Sequence, residues 1–223
     1  MNRKQGLIAG LILLLLAIGL SLWAYPQMPP RVPTHWDLAG NVNGYSTRLV
    51  AVTLTPAIVA FTWLLMVVLP GISPRGFRLG QSARAFYESL LAVMAALVVI
   101  HFIALRASLG VSGLPPAFVF VPVGALLAIL GNLMGKFHKN FFIGIRTPWT
   151  LASDEVWLRT NRLAGRLMVA GGLLLIVSSF ASKAAVAALI VVIVAIVMIP
   201  ATYSYVLYKR IEGFGAKEGD AGV

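Results

Sequence analysis

The chain has 223 residues, 59% of them hydrophobic and only 11% charged, with a net charge of +11. Soluble proteins carry about 25% charged residues, so a water-soluble domain is excluded and the apolar surplus must meet lipid. Cysteine is absent, which rules out disulfides, thiolate metal sites and thiol nucleophiles; the Lys and Arg residues gather in short connections, which fits lipid headgroups and not direct nucleic-acid binding.

Six apolar windows approach the roughly 20 residues that cross a bilayer core of about 30 Å: approximately 6–25, 49–70, 86–107, 117–135, 163–181 and 184–208. The expected fold is all-α, a polytopic membrane bundle of about six transmembrane helices forming a single unit over 1–223. Within it, an N-terminal helix pair at 6–70 precedes a four-helix region at 86–208. The first window follows a positive start at Met1 to Lys4. It is too long for a signal-peptide core and is followed by Pro26-Gln27-Met28-Pro29-Pro30, which has no small-x-small cleavage site, so an uncleaved span is expected.

The loop 26–48 reads as a small ordered cap. Pro29, Pro30 and Pro33 stiffen its entry, Asn43-Gly44 is a type I′ turn signal, and Val32 to Asp37 alternates as an extended segment that points His35 and Asp37 to one side. That pair can supply two metal ligands or one hydrogen-bonded contact. A metal needs a third donor, and His101 in the third span is the sole candidate on that side. The set His35, Asp37 and His101 is therefore a weak metal candidate, and no cofactor is expected.

At the entrance of the third span, Arg84 and Glu88 lie four apart, on one helix face. In the fourth, Asn132 sits inside Gly131-Asn132-Leu133-Met134-Gly135, a small-xxx-small pattern that favours close helix packing. Gly6/Gly10 repeats that spacing, and both glycine faces are open to pairing within one chain or between two copies. In the connection 136–165, Ser153 followed by Asp154 and Glu155 marks a helix start. Glu155 faces Arg159, while Arg159, Arg162 and Arg166 form a basic stripe. The stripe suits anchoring on anionic lipid, with Trp149 and Trp157 in the aromatic belt, or docking of an acidic partner. From Leu163 to Tyr208 the apolar run would be near 69 Å long as one helix, at roughly 1.5 Å per residue. It must fold back at Ala181-Ser182-Lys183. The tail after Tyr208, with four glycines, reads as a frayed end.

No His-Glu-x-x-His, Gly-x-Ser-x-Gly or phosphate-loop pattern occurs. The chain holds seven acids, with no intramembrane acid chain, so no enzyme is expected.

Asn140-Phe141-Phe142-Ile143-Gly144-Ile145-Arg146-Thr147-Pro148-Trp149-Thr150, followed by Glu155-x-Trp157-x-x-Thr160-Asn161-Arg162-x-x-Gly165, resembles the SdpI family. Pro33-x-His35-Trp36-Asp37-x-x-Gly40 with Gly44-Tyr45-Ser46 is similar to the N-terminal membrane domain that often precedes that signature. The resemblance implies an integral membrane immunity protein that protects a cell from a secreted membrane-active antimicrobial peptide. For some relatives it also implies signalling, in which toxin-loaded protein holds a transcriptional repressor at the membrane. On that reading a peptide meets His35, Trp36, Asp37, Gly40 and Tyr45 outside. A cytoplasmic partner meets the signature residues Asn140, Gly144, Arg146, Thr147, Pro148, Trp149, Trp157, Arg159, Asn161 and Arg162. Two other classes stay open: a transporter with Glu88, His101 and Asn132 lining a path, and a membrane-embedded metal-dependent hydrolase at His35, Asp37 and His101. Oligomeric state is open as well.

Fourteen of the eighteen Lys and Arg residues fall on one side of the predicted spans, which places both termini in the cytoplasm and the 26–48 cap outside. A reporter fused after Gly44 is expected to be active only when it is of a type that works outside the cytoplasm. Activity of a cytoplasm-dependent reporter at that position would invert the topology.

Overall fold

A computed structural model of the chain describes residues 1–36, 42–72, 79–111, 116–140 and 142–213. In chain order these form α1 (Arg3–Ala24), β1 (Arg31–Trp36), β2 (Val42–Thr47), α2 (Arg48–Ile72), α3 (Ala83–Ser108), α4 (Phe120–Met134), α5 (Pro148–Ala152), α6 (Asp154–Ser178) and α7 (Ser182–Ile211). Among the described residues, the six helices other than α5 are long and apolar enough to cross a membrane.

Burial is inverted relative to a soluble bundle. The inward face of α1 is Gly6, Gly10, Ala17, Ser21 and Ala24, whereas Ile12, Leu15 and Leu22 are 60%, 59% and 71% exposed. Hydrocarbon is as apolar as leucine, so membrane helices associate by close packing of small residues and leave large aliphatics to lipid.

Two packing modes follow. Helices α1, α2 and α3 pack on one another by seating aromatics against glycines. A methyl on Gly10 would lie 2.7 Å from Trp63 of α2, and one on Gly6 would lie 3.0 Å from the ring of Tyr87 on α3. The Trp63 indole N–H donates to the Leu7 carbonyl at 2.9 Å, pinning α2 to α1. Helices α4 and α6 instead meet backbone to backbone. A methyl on Gly131 would lie 2.6 Å from the Gly165 carbonyl oxygen, and one on Gly124 would lie 2.5 Å from that of Gly172; the reverse contacts are 2.5 and 2.4 Å. Each pair of glycines on one helix is seven residues apart, two helical turns, so the antiparallel helices touch twice along one seam. Helix α7 joins this unit where Val192 packs over Gly171, and α3 lies against α4. Both glycine faces, Gly6/Gly10 and the Gly131 side of Gly131/Gly135, are thus used within one chain. Gly135 itself is exposed.

The fold-back between the last two spans falls at 179–181. There the Phe180 and Ala181 amides donate to the Val177 and Ser178 carbonyls. The tail beyond residue 213 lies outside the described residues.

The cap is an antiparallel hairpin of β1 and β2, with Arg31 opposite Thr47 and Pro33 opposite Tyr45. The expected turn at Asn43-Gly44 is corrected: both residues lie inside β2, where Gly44 pairs with His35 across a register irregularity. Gly44 serves close strand approach, because a methyl there would lie 2.8 Å from the His35 Cβ. Below the hairpin, fully buried Val32 packs with Ala24, Met28, Val52 and Leu105, so the ends of α1, α2 and α3 hold it. The Arg48 guanidinium lies 4.7 Å from the Tyr25 ring centroid at its base.

The α4–α6 seam generates the first structural test. Gly165→Ala should destabilise the protein by about 1–3 kcal/mol, since the added methyl meets rigid backbone. Gly19→Ala, where nothing lies within 4 Å, should leave stability unchanged. Unfolding midpoints in detergent would compare them.

Candidate functional site

The connection from Gly135 to Ser153 has one short helix, α5, and is otherwise irregular. Backbone groups of such a segment still need partners when buried, and the side chains the sequence singles out supply them. Asn140 is fully buried. Its Nδ2 donates to the carbonyls of His138 at 2.9 Å and Ile143 at 3.0 Å. Its Oδ1 accepts from the amides of Phe142 at 2.8 Å and Ile143 at 2.9 Å. Only a carboxamide offers two donors and an acceptor oxygen in that arrangement.

The loop then locks onto α6. Asn161 is 1% exposed; it accepts the Ile145 amide at 2.8 Å and donates to the Trp157 carbonyl at 2.9 Å. The Trp157 indole donates to the Phe137 carbonyl at 2.8 Å. Gly144 passes over both with φ +128°, and a methyl there would lie 2.8 Å from the Trp157 ring and 2.9 Å from Asn161 Oδ1. Backbone conformation and space both require glycine.

Thr147 caps α5 in a reciprocal box with Thr150, and Pro148 takes the first helical position, where its missing N–H is not needed. Thr150 is fully buried and donates to the Ile145 carbonyl at 2.9 Å. Ser204 Oγ of α7 lies within hydrogen-bond distance of the Ala201 carbonyl, at 2.7 Å. Thr147 Oγ1 and Ser204 Oγ share a hydrogen bond at 3.0 Å, in which either hydroxyl can donate. Trp149 stacks edge-on against Tyr205 of α7 at 5.1 Å between centroids. On the other flank the His138 amide donates to Ser82 Oγ at 2.9 Å, and Phe142 contacts Phe86 of α3 at 6.5 Å between centroids. The connection is a clasp binding α3, α6 and α7. Thr147, Thr150 and Ser204 were legible as polar residues, but their mutual bonding was not, since Ser204 lies 57 positions away.

The basic stripe divides. Arg159 pairs with Glu155, and Lys139 with Asp154 at 2.7 Å. Helix α6 begins at Asp154 as expected, although the Ser153 side chain makes no capping bond. Arg162 and Arg166 form no ion pair among the described residues and instead border a groove between α4 and α6. Arg146 is exposed on the clasp.

At the opposite end, His35 is exposed and its Nδ1 lies 2.5 Å from Asn43 Oδ1. Tyr45 is 65% exposed. Asp37 and Gly40 lie outside the described residues, as does the side chain of Trp36. His101 is 1% exposed between helices. Ser21 Oγ donates to the Val52 carbonyl at 2.7 Å, so the 2.8 Å contact from His101 Nε2 to Ser21 must carry the imidazole hydrogen. That triad ties α1, α2 and α3 beneath the cap. No three His, Asp or Glu side chains among the described residues are grouped to hold a metal ion. Glu88 pairs with Arg84 at 2.7 Å and borders a groove with α1, whereas Asn132 is exposed in the α4–α6 groove. Neither groove includes His101, so neither brings together the three residues proposed for a transport path. Asn132 is turned to the outer face, and Gly131 alone of its motif makes the backbone contact.

Asn140→Ala should cost about 2–4 kcal/mol, from several buried hydrogen bonds at roughly 1 kcal/mol each plus stranded partners. Asn140→Asp should be no better, because a carboxylate cannot donate to two carbonyls. Limited trypsin digestion reads this directly: cleavage after Lys136, Lys139 and Arg146 should accelerate in both variants and not in Arg146→Gln at its remaining sites.

Residues 136–204 match the SdpI/YfhL protein family, and residues 12–60 match a domain of unknown function, DUF1648. Over 207 residues the chain is 26% identical to Immunity protein SdpI of Bacillus subtilis (strain 168), which covers 92% of this chain and 97% of that protein. No solved structure matches. The relative is an immunity protein by name. The clasp and the helices that carry it, α6 and most of α7, are the matched family region. The chain is a multi-pass bacterial membrane protein whose 136–204 region matches the SdpI/YfhL protein family, with a match to DUF1648 ahead of it.

Proposed function

We propose that this protein is a membrane immunity protein that protects its cell from a secreted, membrane-active antimicrobial peptide. The observation that carries the reading is similarity to Immunity protein SdpI along 92% of the chain, which includes both the hairpin and the clasp. The charge distribution favours a hairpin outside and a clasp in the cytoplasm. A peptide arriving from outside meets a braced surface with His35 and Tyr45 exposed. The surface is held from below by Val32, so little ordering cost accompanies binding.

A second role, recruitment of a transcriptional repressor, is favoured by the exposed basic residues Lys136 and Arg146 on a connection whose backbone is already fixed, with Arg159 exposed on the adjoining first turns of α6. In this reading Asn140, Gly144, Thr147, Trp157 and Asn161 shape the surface. Arg146, Pro148, Arg159 and Arg162 present it, all four being exposed.

Survival of a sensitive bacterium expressing the protein tests both roles. Wild type should raise the peptide concentration needed to kill. Tyr45→Ala should lower that concentration about tenfold, the loss of roughly 1.4 kcal/mol from one aromatic contact. Arg146→Gln should keep protection while weakening capture of the acidic partner. Equal survival of wild-type and empty-vector cells across a panel of membrane-active peptides would remove the immunity reading.

A further inference from the structure

The closeness of α4 and α6 has a consequence at their outer surface. Because Gly131 and Gly165 bring the two backbones together, no side chain fills the seam there. A groove of about 460 Å³ opens with Gly131, Gly135 and Gly165 as its floor. At one end stand Arg162, Arg166 and the exposed amide of Asn132; along the rest the lining is apolar, with Val169 and Leu173. Neither arginine has an acidic partner among the described residues, since Glu155 is taken by Arg159 and Asp154 by Lys139.

From Arg162 to Leu173 the helix rises roughly 16 Å, close to one leaflet of a hydrocarbon core of about 30 Å. We propose that this groove is a seat for one anionic phospholipid. Its phosphate is held by Arg162 and Arg166 with Asn132 donating, and an acyl chain lies along the glycine floor toward Leu173. A cationic end joined to an apolar channel of leaflet length matches the two halves of a lipid. A second copy fits poorly. Two chains meeting here about an axis along the membrane normal would set Arg162 and Arg166 against their own equivalents, a like-charge contact with no acid in the groove to offset it.

Gly135 provides a clean probe of the channel. Unlike Gly131 and Gly165 it is not needed for helix contact, because a methyl there meets only Arg162 Cγ, at 3.5 Å. It caps the end of α4 with a right-handed backbone that any residue can adopt. The experiment is native mass spectrometry of the delipidated full-length protein titrated with phosphatidylglycerol or phosphatidylethanolamine of identical chains. Wild type should prefer phosphatidylglycerol by about 25-fold, given that each of the two interfacial arginines contributes about fivefold toward anionic lipid. Arg162→Gln/Arg166→Gln should bring the ratio near one. Gly135→Leu should reduce retention of both lipids while the melting temperature holds. A ratio unchanged by the double substitution, full retention in Gly135→Leu, or disulfide-linked dimers of Asn132→Cys in liposomes would each overturn the seat.

Discussion

Between the end of α4 and the start of α6 the chain must turn back at the edge of the bilayer with most of its backbone outside any helix. Unpaired amides and carbonyls there would cost several kcal/mol each if they were pressed into an apolar setting. Asn140 resolves this locally with four hydrogen bonds to its own loop, and Asn161, Trp157 and Thr150 extend the solution to the adjoining elements. The loop thereby gains a fixed shape, and that shape positions three helices at once: α6 directly, α7 through Ser204, and α3 through Ser82 and Phe86.

The glycine seam depends on the same geometry. Two contacts between α4 and α6, at Gly124/Gly172 and Gly131/Gly165, tolerate no side chain, so a register error of one residue would force a Cβ into backbone. The clasp closes the end of that helix pair and sets the register from which both contacts follow. In α1 to α3 the tolerance is greater, since the atoms facing Gly6 and Gly10 belong to the side chains of Tyr87 and Trp63. One half of the molecule is thus specified by backbone contact and the other by aromatic side chains seated on small residues.

This division explains what the sequence made legible. Hydropathy marks lipid exposure, so six spans and the fold-back near Ala181 follow from it, and Ser153-Asp154-Glu155 correctly starts α6. The glycines announce close packing but not the partner, because one helix sequence does not encode which surface faces it; Gly6 and Gly10 are filled by residues more than fifty positions away. Asn43-Gly44 carries the local chemistry of a turn, yet the pairing of Gly44 with His35 overrides that preference. The arginine stripe is continuous on a helical wheel but not in space, since Glu155 takes Arg159 and the seam leaves Arg162 and Arg166 at a groove. Among the candidate site residues, the signature positions were identifiable as a group. Their structural task, satisfying one another's backbone, becomes visible only once the loop is closed.

The two informative surfaces lie at opposite ends of α3. Near its C-terminal end Leu105 packs under Val32 of the hairpin, and one turn earlier His101 holds Ser21 of α1. Near its N-terminal end Phe86 meets Phe142 of the clasp, and Ser82 just before the helix accepts the His138 amide. Protection by sequestering a peptide at the hairpin needs no communication between these ends. Signalling to a cytoplasmic partner does, and it requires two arrangements of some connecting element that the peptide distinguishes. With α4, α6 and α7 fixed by backbone contact and the clasp, α3 is an element whose side chains meet both the hairpin and the clasp. A shift or rotation of α3 is resisted by the His101–Ser21 hydrogen bond at one end and by the clasp at the other. These are the interactions whose free energy a bound peptide would have to offset.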